Sequence, residues 1–299
     1  MDLLHQMRVL VTVMDQGGFA AAARELRLSP AAVTRSIAAL EAQLGASLLQ
    51  RNTRMVRATE AGLRYYEDCK RILAEVQEAQ ETAAGQQAEP QGRLVLTAPV
   101  LFGAMYAMPL IGAFLRAYPK TEVQALMVDR VVNLVDEGVD LAFRIGRLPD
   151  SGLHAQVVGQ VRLVACAAPA YLAERGEPQH PRELQDHDCI ATAGLTPTSE
   201  WRFQDEGRAL SVRLRPRLWC TTNDSAIAAA SQGLGVARAL SYQVAEPLRE
   251  GRLRVLLGGF EPEVLPVHIV YPQGRHAPSR VRRFIEMAAA TLRADPSLR

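Results

Sequence analysis

The sequence predicts an α/β protein whose N-terminal region is all-helical and is joined to the α/β part by one long helix. Three observations predict this fold class. The first 60 residues show helical spacing in short segments, residues 59–84 carry an apolar stripe at heptad-like spacing, and strand-like and helix-like segments alternate from residue 92 onward. A length of 299 residues also allows about two domains.

The first segments form a helix-turn-helix pattern. Gly17-Gly18 ends a first helix, and the Ala-rich run Phe19–Leu26 predicts a second one. Ser29 is expected to cap a third helix with Pro30 at its first position, and Gly45 ends that helix after residue 44. Two short helices joined by a tight turn are the helix-turn-helix arrangement.

The outward face of the third helix carries small side chains and one arginine. Val33, Ile37 and Leu40 share the inward face, whereas Arg35 lies opposite among alanines, which suits close approach to the DNA major groove. Seven basic and three acidic residues lie between positions 24 and 64, although the whole chain carries only +2. The predicted DNA-contacting residues are Ser29, Ala31, Ala32, Thr34, Arg35, Ser36, Arg51 and Arg54.

A helix of about 25 residues, or ~37 Å, is predicted after Thr59. Its apolar stripe consists of Tyr65, Cys69, Ile72, Val76, Ala79 and Ala83. A long helix must bury such a stripe, either against its own domain or against a second copy of the chain, and we favour self-dimerisation. The polar, Gly- and Pro-containing segment at 85–92 is predicted to be a linker.

From residue 92 the pattern alternates between strand and helix, which implies a mostly parallel sheet. The predicted strands are Leu94–Ala98, Val123–Val128, Leu141–Ile145, Arg162–Ala167 and Val267–Tyr271. The predicted helices are Met108–Tyr118, Val131–Glu137, Ser225–Ser231 and Val281–Leu292. The charge-free stretch Leu94–Leu115 is nominally long enough to cross a membrane, but a buried strand followed by a core helix explains its Pro and Gly residues better.

Composition excludes several classes of protein. With 22% charged and 48% hydrophobic residues the chain is globular rather than disordered. Its four cysteines are far apart and form no CxxC pair, which argues against a cysteine-based zinc module or a disulfide scaffold. No signal-peptide pattern opens the chain, so we expect a cytoplasmic protein.

The N-terminal motifs resemble those of the LysR-type transcriptional regulators. The resemblance rests there on Gly17–Leu26, Ser29–Ile37 and Leu48–Arg51. Downstream, four segments resemble the effector domain of that family: Glu137–Gly146, Ala168–Leu172, Trp201–Phe203 and Gly233–Val236. The motifs are specific in combination and order, and they cover nearly the whole chain. Gly18, Leu49 and Ala58 are conservative departures, and Leu240–Gln243 lacks the commoner proline, so the effector class does not transfer.

The resemblance implies a winged helix-turn-helix over residues 1–58, a dimerising linker helix and hinge over 59–91, and an effector domain over 92–299. That domain is expected to have two lobes, as in periplasmic binding proteins. Lobe I would span about 92–162 and 267–299 and lobe II about 163–266, with crossovers near Val161–Ala165 and Pro266–Tyr271. The implied partners are promoter DNA, a small-molecule effector, and further copies of the chain in a homodimer or a tetramer built from two dimers.

Ligands of open α/β sheets lie beyond the carboxyl ends of the strands. The residues expected there are Pro99, Val100, Leu101, Phe102, Arg144, Gly146, Thr192, Thr222 and Asn223. Free N–H groups at helix starts and Arg144 favour an anion, so a small carboxylate is the expected effector. The alternative is that Arg144 pairs with Asp140 or another acid and that the caps serve only the helices.

Two other functions are weighed against a regulator. An enzyme would have its best support in Asp186-His187-Asp188-Cys189, but neighbours on a strand point to opposite faces, so a structural turn is favoured. The chain has no GxSxG, HExxH or Walker motif, and Gly233-x-Gly235 lacks a third glycine, so neither catalysis nor a cofactor or metal is expected. A ligand-binding module without DNA activity would leave the first 60 residues unexplained.

Overall fold

The computed structural model describes residues 2–52, 55–83, 89–192, 199–272 and 277–299. They form two compact units. The first contains Met1–Leu94, Leu115–Val123 and Ala277–Arg283, and the second contains Val95–Phe114, Gln124–His276 and Phe284–Arg299. The first unit thus takes in two segments that the sequence placed in lobe I. Two ion pairs lie inside this unit: Glu67 is 2.9 Å from Arg93, and Glu75 is 4.0 Å from Arg280.

Three helices open the first unit as predicted: α1 (Leu3–Asp15), α2 (Phe19–Glu25) and α3 (Pro30–Leu44). The Ser29 hydroxyl accepts a hydrogen bond from the Ala32 N–H at 3.2 Å, and Gly45 has a φ of 65°, the left-handed conformation that ends a helix. The expected wing is an antiparallel hairpin of β1 (Leu49–Asn52) and β2 (Met55–Ala58).

Helix α4 (Glu60–Ala83) follows the hairpin directly. The Thr59 hydroxyl accepts a hydrogen bond from the Gly62 N–H at 2.9 Å and so caps the helix start. A β-carbon on Gly62 would lie only 1.9 Å from the Leu48 carbonyl oxygen, so the close approach of α4 to the hairpin requires glycine there.

Four strands of a first five-stranded sheet are β3 (Gly92–Ala98), β4 (Thr121–Met127), β5 (Leu141–Ile145) and β6 (His154–Val161). The fifth strand of this sheet comes near the end of the chain. A second sheet contains β7 (Leu163–Ala167), β8 (Cys189–Thr192), β11 (Pro216–Cys220), β12 (Val236–Leu240) and β13 (Arg254–Leu256), while β9 (Glu200–Asp205) and β10 (Arg208–Arg213) form a separate hairpin. The late strand is β14 (Leu265–Tyr271), and the first sheet has the order β4-β3-β5-β14-β6. The second sheet has the order β11-β8-β12-β7-β13.

Six α-helices among the described residues accompany these strands. Their bounds are α5 (Val100–Phe102), α6 (Met108–Ala117), α7 (Pro169–Arg175), α8 (Asn223–Ser231), α9 (Ala245–Arg249) and α10 (Ser279–Ala294), with a π-helical turn at Gly103–Ala107 between α5 and α6. The helical stretch Val100–Ala117 is long and apolar enough to cross a membrane by length and composition alone. One such stretch is weak evidence for a membrane span, because a core helix of a soluble protein passes the same test. In this window 33% of the residues are buried, Phe102 and Phe114 among them.

Two sequence predictions need correction. The segment Val131–Glu137 is a series of turns rather than a helix. The Asn133 side chain accepts a hydrogen bond from the Val135 N–H at 3.2 Å, and Gly138 has a φ of 63°, so local side-chain bonding and a left-handed residue replace helical continuation. The sheets are also mixed, because β14 runs antiparallel to β5 and β6, and β7 runs antiparallel to β12 and β13.

Candidate DNA interface and effector site

Helix α3 presents an exposed face of small residues around one arginine. Val33, Ile37 and Leu40 are fully buried in the helix-turn-helix core, whereas Ala31 and Arg35 are exposed. Exposed or partly exposed positions of the predicted DNA-contacting set are Ser29, Ala31, Ala32, Thr34 and Arg35. The face is therefore narrow enough to enter a major groove and carries a guanidinium that can bond a guanine edge in two places.

Ser36 does not belong to this face. Its side chain is only 1% exposed, and its hydroxyl has no hydrogen-bond partner within the described residues. The prediction that Ser36 reaches DNA is wrong, because one step of 100° from Arg35 turns the side chain inward. Arg51 lies on β1, where its side chain is not described, and Arg54 lies outside the described residues.

A carboxylate that the sequence reading did not single out ties the hairpin to α3. Glu41 Oε1 accepts hydrogen bonds from the Leu48 N–H at 2.8 Å and from the Leu49 N–H at 3.1 Å. Charge-assisted bonds to two backbone donors hold the start of β1 in a fixed position against the end of α3. The backbone at the start of β1 is thereby held against the helix that presents Arg35.

The two halves of the apolar stripe of α4 have different surroundings. Cys69 is fully buried in the helix-turn-helix core, with Tyr65 and Ile72 packed against that core. Burial raises the pKa of the Cys69 thiol to about 11, so it stays protonated at neutral pH. The full burial of Cys69 corrects its assignment to a dimer face, while Tyr65 and Ile72 pack against the protein's own domain and stay partly exposed. Val76 is partly buried, Ala79 is exposed, and the side chain of Ala83 is not described.

The second unit contains a cavity of about 170 Å³ at the carboxyl ends of β8 and β12. Its wall consists of Leu163, Ile190, Thr192, Trp201, Asn223, Arg238, Ala239 and Leu240. Thr192 and Asn223 belong to the predicted effector set, and Asn223 is the first residue of α8. The rule that ligands lie beyond strand ends therefore located part of this wall. Thr222 is exposed beside it, with its hydroxyl 2.9 Å from the Ser225 hydroxyl.

Arg238 is the cation of this cavity, and sequence reasoning missed it. Its guanidinium lies 5.1 Å from the centre of the Trp201 ring and donates to the Arg202 carbonyl oxygen at 3.1 Å. The surrounding protein and the nearby Arg202 charge lower the pKa of Arg238 to about 10. An arginine inside a strand gives no local sign of function, so only the sheet order identifies it.

The predicted site at the start of α5 is already occupied by the protein's own carboxylate. The Val100 N–H donates to Asp129 Oδ1 at 3.0 Å, so the negative charge that the free N–H group would attract is in place. Phe102 is fully buried and packs against Tyr106, Phe143 and Tyr242 at ring-centre distances of 4.9, 5.4 and 5.7 Å. Phe102, with Pro99, Val100 and Leu101 before it, does not line the cavity.

Arg144 and Gly146 also lie outside the cavity wall. The Arg144 guanidinium donates to the Val132 carbonyl oxygen at 3.3 Å, and burial together with Arg130 lowers its pKa. Asp140, the expected partner, instead accepts a hydrogen bond from the Val95 N–H at 2.8 Å. Gly146 is buried with a φ of 105°, and its N–H donates to the Pro266 carbonyl oxygen. Both residues hold the carboxyl end of β5, the central strand of the first sheet, in place.

Matches to two known protein families show which family this chain belongs to. Residues 4–63 match the family described as bacterial regulatory helix-turn-helix protein, lysR family, and residues 87–293 match the LysR substrate binding domain. The chain belongs to the LysR family. Membership agrees with the helix-turn-helix, the hairpin and the two sheets described above.

Members of the LysR family match along nearly the full chain. A probable HTH-type transcriptional regulator, LtrA from Klebsiella pneumoniae, is 32% identical and covers 98% of this chain and 96% of its own length. The HTH-type transcriptional regulator PtxR from Pseudomonas aeruginosa is 34% identical and covers 98% of this chain and 94% of its own. The structure of CrgA, a LysR-type regulator from Neisseria meningitidis, aligns with a TM-score of 0.63 at 28% identity, covering 96% and 98% of the two chains.

LysR-family membership makes this chain a regulator and not an enzyme, and the segment Asp186–Cys189 agrees. Asp188 pairs with Arg175 at 3.2 Å and with Arg217 at 3.4 Å, and the Tyr171 hydroxyl accepts from the Asp188 N–H at 2.9 Å. Cys189 is buried in β8, and burial raises its pKa to about 12. These residues form the predicted structural turn before a buried strand.

Proposed function

We propose that this LysR-family protein binds promoter DNA sequence-specifically in the cytoplasm, and that a small molecule bound in its effector domain changes that binding. The main support for this proposal is the exposed face of α3. Its capped start, its small side chains and the single exposed Arg35 provide the shape and the donor that major-groove readout needs.

The roles of individual residues differ in this proposal. Arg35 contacts a base edge, while the Ser29 and Thr34 hydroxyls contact phosphates or base edges, and Ala31 and Ala32 allow close approach. Arg51 and Arg54 of the hairpin region contact the DNA backbone or the minor groove. Contacts to phosphate position the protein, and contacts to bases specify the sequence.

A homodimer, or a tetramer of two dimers, presents two or more such helices to adjacent half-sites. The second half of α4 supports this assembly, because Ala79 is exposed and Val76 is only partly buried in one chain. Effector binding in the domain at 92–299 would favour one arrangement of its lobes. The linker helices at 59–91 would then alter the spacing of the DNA-reading helices, since a ligand shifts an equilibrium by its differential affinity.

An electrophoretic mobility shift tests the proposal. The full-length protein is titrated against the duplex upstream of its own gene and against a shuffled duplex of identical composition, at two salt concentrations. We expect a salt-sensitive shift of the natural duplex and much weaker binding to the shuffled one. DNase protection with metabolites of the neighbouring operon should then reveal a changed footprint. Equal binding to both duplexes would refute sequence-specific regulation.

A further inference from the structure

The cavity of the second unit contains a positive charge that no described carboxylate neutralises. Arg238 projects into this cavity, and none of the ion pairs among the described residues includes it. Arg202, whose carbonyl oxygen Arg238 bonds, brings a second positive charge close by. A partly buried guanidinium beside a second cation is stabilised by an anion, so this cavity favours a negatively charged ligand.

The other residues of the cavity wall limit which kind of anion can bind beside Arg238. The exposed surface of this wall is mostly polar: Thr192 supplies a hydroxyl group, Asn223 an amide and Arg238 its guanidinium, while Leu163, Ile190, Trp201, Ala239 and Leu240 complete the wall. One cation with two neutral polar groups matches a single carboxylate better than a polyanion such as phosphate. The volume of about 170 Å³ is close to the roughly 150 Å³ of a cavity that accepts benzene.

We propose that Arg238 is the residue that selects a negatively charged effector, and that its ligand is a small monocarboxylate no larger than about one ring. The carboxylate bonds the Arg238 guanidinium and the Thr192 or Asn223 side chain, and the rest of the ligand lies against Trp201. This inference rests on the proposed effector-regulated function and moves its anion site away from Arg144 and the start of α5.

Calorimetric titration of the full-length protein, without DNA, tests the assignment. The probes are benzoate and straight-chain monocarboxylates of two to six carbons, each compared with its neutral amide, and inorganic phosphate. We expect at least one carboxylate to bind wild type about tenfold more tightly than its amide, since a charge-assisted bond contributes at least that factor. Phosphate should not compete with it.

Three variants separate charge recognition from general structure. Arg238→Gln should abolish the preference for carboxylate over amide, and Arg238→Lys should keep part of it. Arg144→Gln removes a partly buried arginine outside the cavity and should leave the preference unchanged. An unaltered preference in Arg238→Gln, or no carboxylate preferred by wild type at millimolar concentration, would overturn the proposal, and stronger binding of phosphate would do the same.

If a variant no longer binds the ligand, a thermal melt shows whether the variant has lost ligand recognition or its fold. Arg238→Met should melt close to the wild-type temperature, because removing a charge without a carboxylate partner offsets the loss of the Trp201 contact and of the bond to the Arg202 carbonyl oxygen. A much lower melting temperature would show that Arg238 is structural and would contradict the proposal. Because these measurements contain no DNA, a failed mobility shift would refute the regulatory function and still leave the Arg238 result interpretable.

Discussion

Arg35 and Arg238 show how the surroundings of one residue type decide its role. Arg35 is exposed on a helix whose inward face is fully buried, so it is free to meet a DNA base. Arg238 lies in a strand against Trp201, where burial and Arg202 lower its pKa to about 10. Counting 100° per residue along a helix identifies the first residue from the sequence. The second is one arginine among many, and only its cavity distinguishes it.

At the residue scale, Arg35→Ala should weaken binding to the natural operator by about 1–3 kcal/mol and relax the preference at one base position. The loss follows from removal of a two-pronged contact to a base edge. Quantitative mobility shifts on single-base operator variants measure both effects. Arg208→Ala, which removes an exposed arginine of β10, is the control and should change neither. Unchanged affinity and base preference in Arg35→Ala would show that α3 is not the reading helix.

Gly62→Ala tests the contact between α4 and the hairpin. Its β-carbon would lie 1.9 Å from the Leu48 carbonyl oxygen, which is backbone and cannot rotate away. We expect the free energy of unfolding to fall by about 1–3 kcal/mol, a typical cost of overpacking, with DNA affinity reduced as the hairpin shifts. Urea denaturation followed by circular dichroism measures the change. Gly152→Ala, at an exposed glycine whose added β-carbon would have nothing within 4 Å, should be nearly neutral, and equal stability of the two variants would argue against this packing.

At the scale of elements, α4 shows why an apolar stripe does not reveal its own partner. The spacing of Tyr65, Cys69, Ile72 and Val76 correctly predicted a helix with one apolar face. The structure places the first three against the helix-turn-helix core. Heptad spacing requires only that the stripe be covered, and a stripe covered by the protein's own domain has the same pattern as one covered by a second copy.

Ala79→Glu therefore tests the half of α4 that remains available. Ala79 is exposed in one chain, so a carboxylate there should leave the isolated fold intact, but it would be buried without a partner in a dimer. We expect sedimentation velocity to show a shift toward monomer and the mobility shift to weaken in parallel. The control is Gln80→Glu, which adds the same charge one position round the helix. Oligomers that are unaffected by Ala79→Glu, or equally affected by both changes, would rule out this contact.

At the scale of the whole molecule, stability should depend on pH through His268. This side chain is only 9% exposed in β14, and its Nδ1 has no hydrogen-bond partner among the described residues. Burial lowers its pKa in the folded protein. As the pH falls below the ordinary value of about 6.5, the unfolded chain takes up the proton first, so the free energy of unfolding decreases. Above that value the contribution is fully present.

His268→Gln should consequently show a smaller loss of stability than wild type between about pH 7 and about pH 5. Trp201 and Trp219 both lie in the same compact unit as His268, so their fluorescence follows the relevant unfolding step. A His268→Gln profile with the same slope as wild type would show that this ring does not titrate on unfolding.

The sequence by itself determined the features that depend on neighbours along the chain. The Ser29-Pro30 start and Gly45 end of α3, the length of α4 and the run of β5 all follow from caps, φ preferences and periodicity. The ordered motifs were enough to indicate the LysR family. The same local reasoning failed at Val131–Glu137, where side-chain bonding in the Asn133 turn outweighed helical spacing.

Only the tertiary structure decided which of these residues share a site. Burial of Ser36 and Cys69 depends on what packs over each helix, and the carboxylate that occupies the α5 start comes from Asp129, well downstream in the chain. The cavity joins β7, β8, β9, β12 and the start of α8, and sheet order brings these separate segments together. Periodicity shows which face of an element is covered, but it does not show which part of the protein covers it. The anion site at Arg238 could therefore not be predicted from the sequence.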